Sequence, residues 1–133
     1  MRACAWGLIA ATAVAACAPR GDRPRTPLEQ GRLYTSWLYE NQYQKLWDRF
    51  SPEMRESFGS VTDLASFAGH AVTRLGPERR ALNERVDDAT PQRIYQRTAS
   101  FDTSQRPMLI EWSLAGDGAV TGLVVRPVPD GAR

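Results

Sequence analysis

Val61-Thr62-Asp63-Leu64-Ala65-Ser66-Phe67-Ala68-Gly69-His70-Ala71-Val72-Thr73-Arg74-Leu75, closed by Gly76-Pro77, marks the point where the chain changes its period. Leu64, Phe67, Ala68, Ala71, Val72 and Leu75 recur at three- and four-residue steps, which puts them on one face of a helix. Ser60 supplies an N-cap, and Asp63 stands where a capping box normally has Glu. Glycine followed by proline cannot continue the ladder, because proline has no N–H to donate and glycine favours the helix end. The spacing predicts a helix over Val61–Leu75 with one buried stripe.

Beyond Pro77 the period falls to two. Arg79–Asp87 is a weak strand candidate, with Leu82 and Val86 its only large apolar residues. Gln92–Asp102 alternates through Tyr95, Arg97, Ala99 and Phe101. Met108–Ala115 sets Met108, Ile110, Trp112 and Leu114 on one face and Leu109, Glu111 and Ser113 on the other. Ala119–Pro127 is rich in β-branched residues, and Gly116-Asp117-Gly118 before it is a hairpin signal. Thr103–Arg106 and Asp87–Pro91 read as turns.

Upstream the period is helical. Pro27 opens a segment carrying Leu28, Leu33, Tyr34, Trp37 and Leu38, which breaks at Glu40-Asn41. Tyr43, Leu46, Trp47 and Phe50 form a second segment. Ser51-Pro52, a cap and a proline at the first helical position, starts a short helix that Gly59 ends. Helices first and a meander after predict an α+β domain, with N-terminal helices packed on a curled antiparallel sheet of about four strands rather than a parallel α/β sheet.

The chain has 133 residues, room for one domain, and a formal net charge of +2, too small for a nucleic-acid surface. Its basic residues are Arg except for Lys45. One His (His70) and two Cys (Cys4, Cys17) exclude most metal sites and any disulfide framework. Ser-x-x-Lys, Gly-x-Ser-x-Gly, His-Glu-x-x-His and phosphate-loop patterns are all missing, and nothing asks for a cofactor.

Met1-Arg2 followed by an apolar run to Ala16 has the form of an export signal, too short for a transmembrane helix. It ends in Val14-Ala15-Ala16-Cys17, which resembles the bacterial lipoprotein box. That resemblance implies a signal peptide over residues 1–16, cleavage before Cys17 and acylation of Cys17. It further implies a lipid anchor in the cell envelope, and Ala18 resembles the outer-membrane pattern, facing the periplasm in a cell with two membranes. Residues 17–26 then form the lipidated Cys and a tether, on the order of 30 Å long when extended. The domain occupies residues 27–133.

The run from Leu38 to Met54 (Leu-Tyr-Glu-Asn-Gln-Tyr-Gln-Lys-Leu-Trp-Asp-Arg-Phe-Ser-Pro-Glu-Met) resembles the opening helices of nuclear-transport-factor-2-like domains, in their uncharacterised envelope branch. Gly118-Ala119-Val120-Thr121-Gly122-Leu123 is similar to the closing hairpin of that family. The resemblance implies a conical fold whose interior holds acid and base residues in the enzymatic relatives. Candidates to line such a cavity are Tyr34, Trp37, Tyr95, Arg97, Trp112 and Arg126, and the same aromatics suit a filled core.

For acid–base chemistry the sequence offers His70, Asp48, Glu111 and the Asp87-Asp88 pair. His70 falls well off the apolar stripe of its helix, and the aspartate pair suits a turn. The expectation is a membrane-anchored, non-catalytic binding or accessory module for an envelope protein or a small ligand. The alternative is a small-molecule isomerase or cyclase working in the cone.

Overall fold

Thr26 caps the first helix. Its hydroxyl accepts from the Glu29 amide at 3.2 Å while Glu29 Oε2 accepts from the Thr26 amide at 2.7 Å, a complete capping box. The residue assigned by sequence to the end of the tether is therefore the cap of the first helix. The computed structural model describes residues 25–88 and 91–131, so the expected signal peptide over residues 1–16 and Cys17 lie outside the described residues.

Four helices follow: α1 (Pro27–Tyr39), α2 (Tyr43–Arg49), α3 (Pro52–Phe58) and α4 (Val61–Leu75). The break between α1 and α2 turns on Asn41, whose φ of 59° is the left-handed conformation that Asn tolerates better than most residues. Ser51 caps α3 through the Met54 amide at 3.1 Å, and Ser60 caps α4 through the Asp63 amide at 3.1 Å. Asp63 does not complete a capping box. Its Oδ2 accepts a hydrogen bond from the Ser60 hydroxyl instead, at 2.8 Å.

The second half is a four-stranded antiparallel meander, β1 (Glu78–Asp87), β2 (Arg93–Phe101), β3 (Met108–Leu114) and β4 (Val120–Pro127), in that spatial order. The sheet is open, with β1 and β4 at its edges. Bulges in β1 and at the start of β4 sharpen the bend of both edges. Residues directly opposite one another share a face, so the register sorts the side chains into rows. Val86–Tyr95–Trp112–Leu123, Glu84–Arg97–Ile110–Val125 and Ala81–Ala99–Met108–Pro127 point to the helices. Gln96–Glu111–Val124 and Thr98–Leu109–Arg126 point away.

Helix α1 lies across β1, β2 and β3, and α3 meets β4. The α2–α3 corner is fastened to β4, where the Ser51 amide donates to the Val120 carbonyl at 2.9 Å. Between the layers Leu38, Leu46, Leu64, Ile110, Leu114 and Val120 are buried beside Tyr95 and Trp112. Each such side chain contributes about 1.5–3 kcal/mol when taken out of water.

The stripe predicted for α4 is only half covered. Leu64 and Ala68 are buried and Ala71, Val72 and Leu75 partly so, but Phe67 is 57% exposed. Phe67 stands at the open side of the stripe, its ring tilted against Phe58 with centroids 5.7 Å apart.

Candidate functional site

Gly31 sets how closely α1 approaches the sheet. A Cβ there would come within 2.1–2.5 Å of three ring carbons of Tyr95, so the phenol ring packs directly on helix backbone. One turn later the Thr35 hydroxyl donates to the Gly31 carbonyl at 2.8 Å and accepts from Trp112 Nε1 at 2.9 Å. Tyr34 meets the Trp112 ring edge-on at 5.8 Å, and its hydroxyl donates to the Gly118 carbonyl at 2.9 Å. Burial pushes the Tyr34 phenol above its ordinary pKa.

Tyr34, Tyr95 and Trp112 thus converge from α1, β2 and β3 and fill the interior. Trp37 joins them from the rim, half-buried, with its ring 5.6 Å from Tyr34 and Lys45 Nζ 5.8 Å from its centre. The void between Leu38, Ala68, Ile110 and Leu123 measures about 10 Å³, no more than one water needs, and apolar side chains make up most of its wall. Every buried side-chain polar atom of the described residues has a hydrogen-bond partner.

Arg97 stands on the same inner face as Tyr95 but at its edge, where α1 crosses β1 and β2. Its Nη2 and Nε grip Glu78 at 2.6 and 3.0 Å, and Nη1 reaches Glu84 at 3.0 Å. Tyr39 donates to Glu78 at 2.7 Å and Tyr95 donates to Glu84 at 2.6 Å. Arg32, on α1, closes the far side of Glu84 with contacts of 2.5 and 2.9 Å. Two carboxylates, two guanidiniums and two phenols form a charge-balanced network tying helix to sheet. An open groove of about 380 Å³ leads to it past Arg32, Ser36 and Tyr39.

The electrostatics keep each group in its ordinary state. Burial alone drives Glu78 upward, but the hydrogen bonds from Arg97 and Tyr39 outweigh it and hold the carboxyl below the usual range. Glu84 is lowered chiefly by its hydrogen bond from Arg32; burial opposes this, and the Tyr95 hydroxyl adds to the lowering. Burial, with the bond to Glu84, pushes Tyr95 up to about 12, and burial with the bond to Glu78 raises Tyr39 further. Arg97 is raised by its bonds to Glu78. Acid–base catalysis works best with a pKa near the working pH. This cluster instead holds its carboxylates ionised and its phenols protonated, as a lock would.

The remaining candidates lie apart. Arg126 is exposed on the outer face of the sheet and does not join the others. Glu111 is also on the outer face and accepts from Gln96 Nε2 at 2.6 Å. Asp48 is exposed on α2, accepting from Gln44 at 2.9 Å, and His70 is exposed on α4. Asp88 sits 3.8 Å from Arg93. Among the described residues no three His, Cys, Asp or Glu come together as a metal site, and no helix is long and apolar enough to cross a membrane.

Sequence reasoning missed Arg32, Tyr39, Glu78 and Glu84. A signal for one of them was present: counting inward from the Asp87–Pro91 turn, with Asp87 facing Ile94, places Glu84 opposite Arg97. Compared with known proteins, the chain matches no protein family, no curated protein and no solved structure.

Proposed function

We propose that this chain is a lipid-anchored lipoprotein of the cell envelope, held to the membrane through an acylated Cys17. Its α+β domain is a nuclear-transport-factor-2-like cone that serves as a non-catalytic binding or accessory module. The anchor rests on Val14-Ala15-Ala16-Cys17 and the apolar run before it. What supports a binding role is the filled inner face: Tyr34, Tyr95 and Trp112 occupy the place where an enzymatic cone would hold substrate. A partner or ligand engages such a domain from outside.

Cell fractionation tests the anchor. The native chain is expected to sediment with membranes and to leave them only with detergent, while Cys17→Ala is expected in the soluble envelope fraction. A Cys17→Ala chain that fractionates like the native one would overturn it. The isomerase or cyclase reading needs a carboxylate inside the cone poised to exchange a proton: Glu111 and Asp48, the two named for it, stand outside, and Glu78 and Glu84 at the inner edge are held ionised by Arg97 and Arg32.

A further inference from the structure

We infer that the groove between α4 and the Met108–Pro127 end of the sheet binds a free long-chain carboxylic acid, its chain along the apolar floor and its carboxylate at Arg74.

The uncovered half of the α4 stripe is one wall of this groove. Phe67, Ala71 and Leu75 face Met108, Val125 and Pro127 across an open trough of about 830 Å³. That is within the range of small-ligand sites, roughly 300–1,000 Å³. An exposed large aromatic continuous with such a trough is more informative than the isolated exposed Leu82 or Val124 elsewhere.

Charge selects the ligand. His70 and Arg74 stand on the α4 rim, both exposed, and no residue lining the groove is acidic. Among the described residues, neither the Arg74 guanidinium nor the His70 ring has a hydrogen-bond or ion-pair partner. The opposite rim is already engaged: the Thr103 hydroxyl donates to the Arg74 carbonyl and the Ser104 hydroxyl donates to the Arg106 carbonyl at 2.7 Å. An apolar trough with a single unpaired guanidinium at its edge complements one acyl chain ending in one negative charge. A two-tailed phospholipid needs more width, and a polyanion needs more cations.

This assignment names a ligand for the binding module proposed above and rests on that reading. The test uses the full chain and dodecanoic acid carrying a diazirine at its chain end, with adducts mapped by mass spectrometry after irradiation. Adducts are expected on Phe67–Leu75 and Met108–Pro127. Laurate should compete for them, dodecanol about threefold less well, the worth of one exposed ion pair, and acetate not at all. Arg74→Gln should lower labelling about threefold. Phe67→Asp, a change on the surface, should abolish it with tryptophan fluorescence unchanged. Scattered adducts, equal competition by laurate and dodecanol, or protection by phosphatidylglycerol vesicles but not by laurate would each overturn the assignment. Repeating the labelling with Cys17→Ala separates the two claims. Labelling that persists while the native chain proves unlipidated removes the anchor alone, and scattered labelling of a lipidated chain removes the ligand alone.

Discussion

Replacing Gly31 with Ala sets two effects of opposite sign against each other. Alanine favours a helix interior over glycine by about 1 kcal/mol, so on an exposed helix the change would stabilise. Here the new methyl would lie 2.1 Å from Tyr95 Cγ and within 2.5 Å of both Cδ atoms. The ring cannot slide away: Tyr95 is fully buried and its hydroxyl is tied to Glu84 at 2.6 Å. Overpacking a core costs about 1–3 kcal/mol, and a contact this short falls at the upper end. Moving the ring also loosens a hydrogen bond to a carboxylate, worth about 1.5–3 kcal/mol. The net expectation is a loss of about 3 kcal/mol, which lowers Tm by more than ~10 °C in a domain of this size. Thermal unfolding followed by tryptophan fluorescence measures it. Tyr95→Leu removes the ring, and in that background Gly31→Ala should cost nothing or gain up to ~1 kcal/mol. A Gly31→Ala chain as stable as the native one would refute the close approach of α1 to the sheet.

Arg97→Met leaves Glu78 and Glu84 without their shared cation and should cost about 3 kcal/mol in urea unfolding, partly restored by adding Glu78→Gln. Both carboxyls are held below the usual range in the folded chain, so the unfolded chain takes up protons first as pH falls. Their stabilisation is present above the unfolded carboxylate pKa of about 4.3 and lost below it, so Tm should hold from pH 7 to 5 and fall steeply towards pH 3. Trp112→Phe removes the donor to Thr35 and leaves a void, a loss of about 2 kcal/mol by the same urea assay.

Local chemistry made much of the fold legible. Ser60 and Gly76 bound α4 at the positions their capping roles require, and the alternation from Met108 to Leu114 matches the buried rows of β3 residue by residue. β1 was the hardest strand to read, because its sequence has few apolar residues. Its ten residues pair along β2, and Glu78 and Glu84 find Arg97, Tyr39, Tyr95 and Arg32 on other elements, partners visible only once the strands are paired. The same holds for the site. Tyr34, Tyr95 and Trp112 announce an interior by residue type, but whether they line a cavity or fill it depends on Gly31 bringing the helix down onto Tyr95. Phe67 belongs to the apolar stripe by spacing yet stays largely exposed, on the wall of an open groove between α4 and the sheet.

The anchor is the claim from which the proposed location follows, and the intact mass of the chain recovered from a bacterial envelope decides it. A polypeptide starting at Cys17 and carrying diacylglycerol and an N-terminal acyl group is the predicted result. An unmodified Cys17, or a chain cleaved elsewhere, would contradict it.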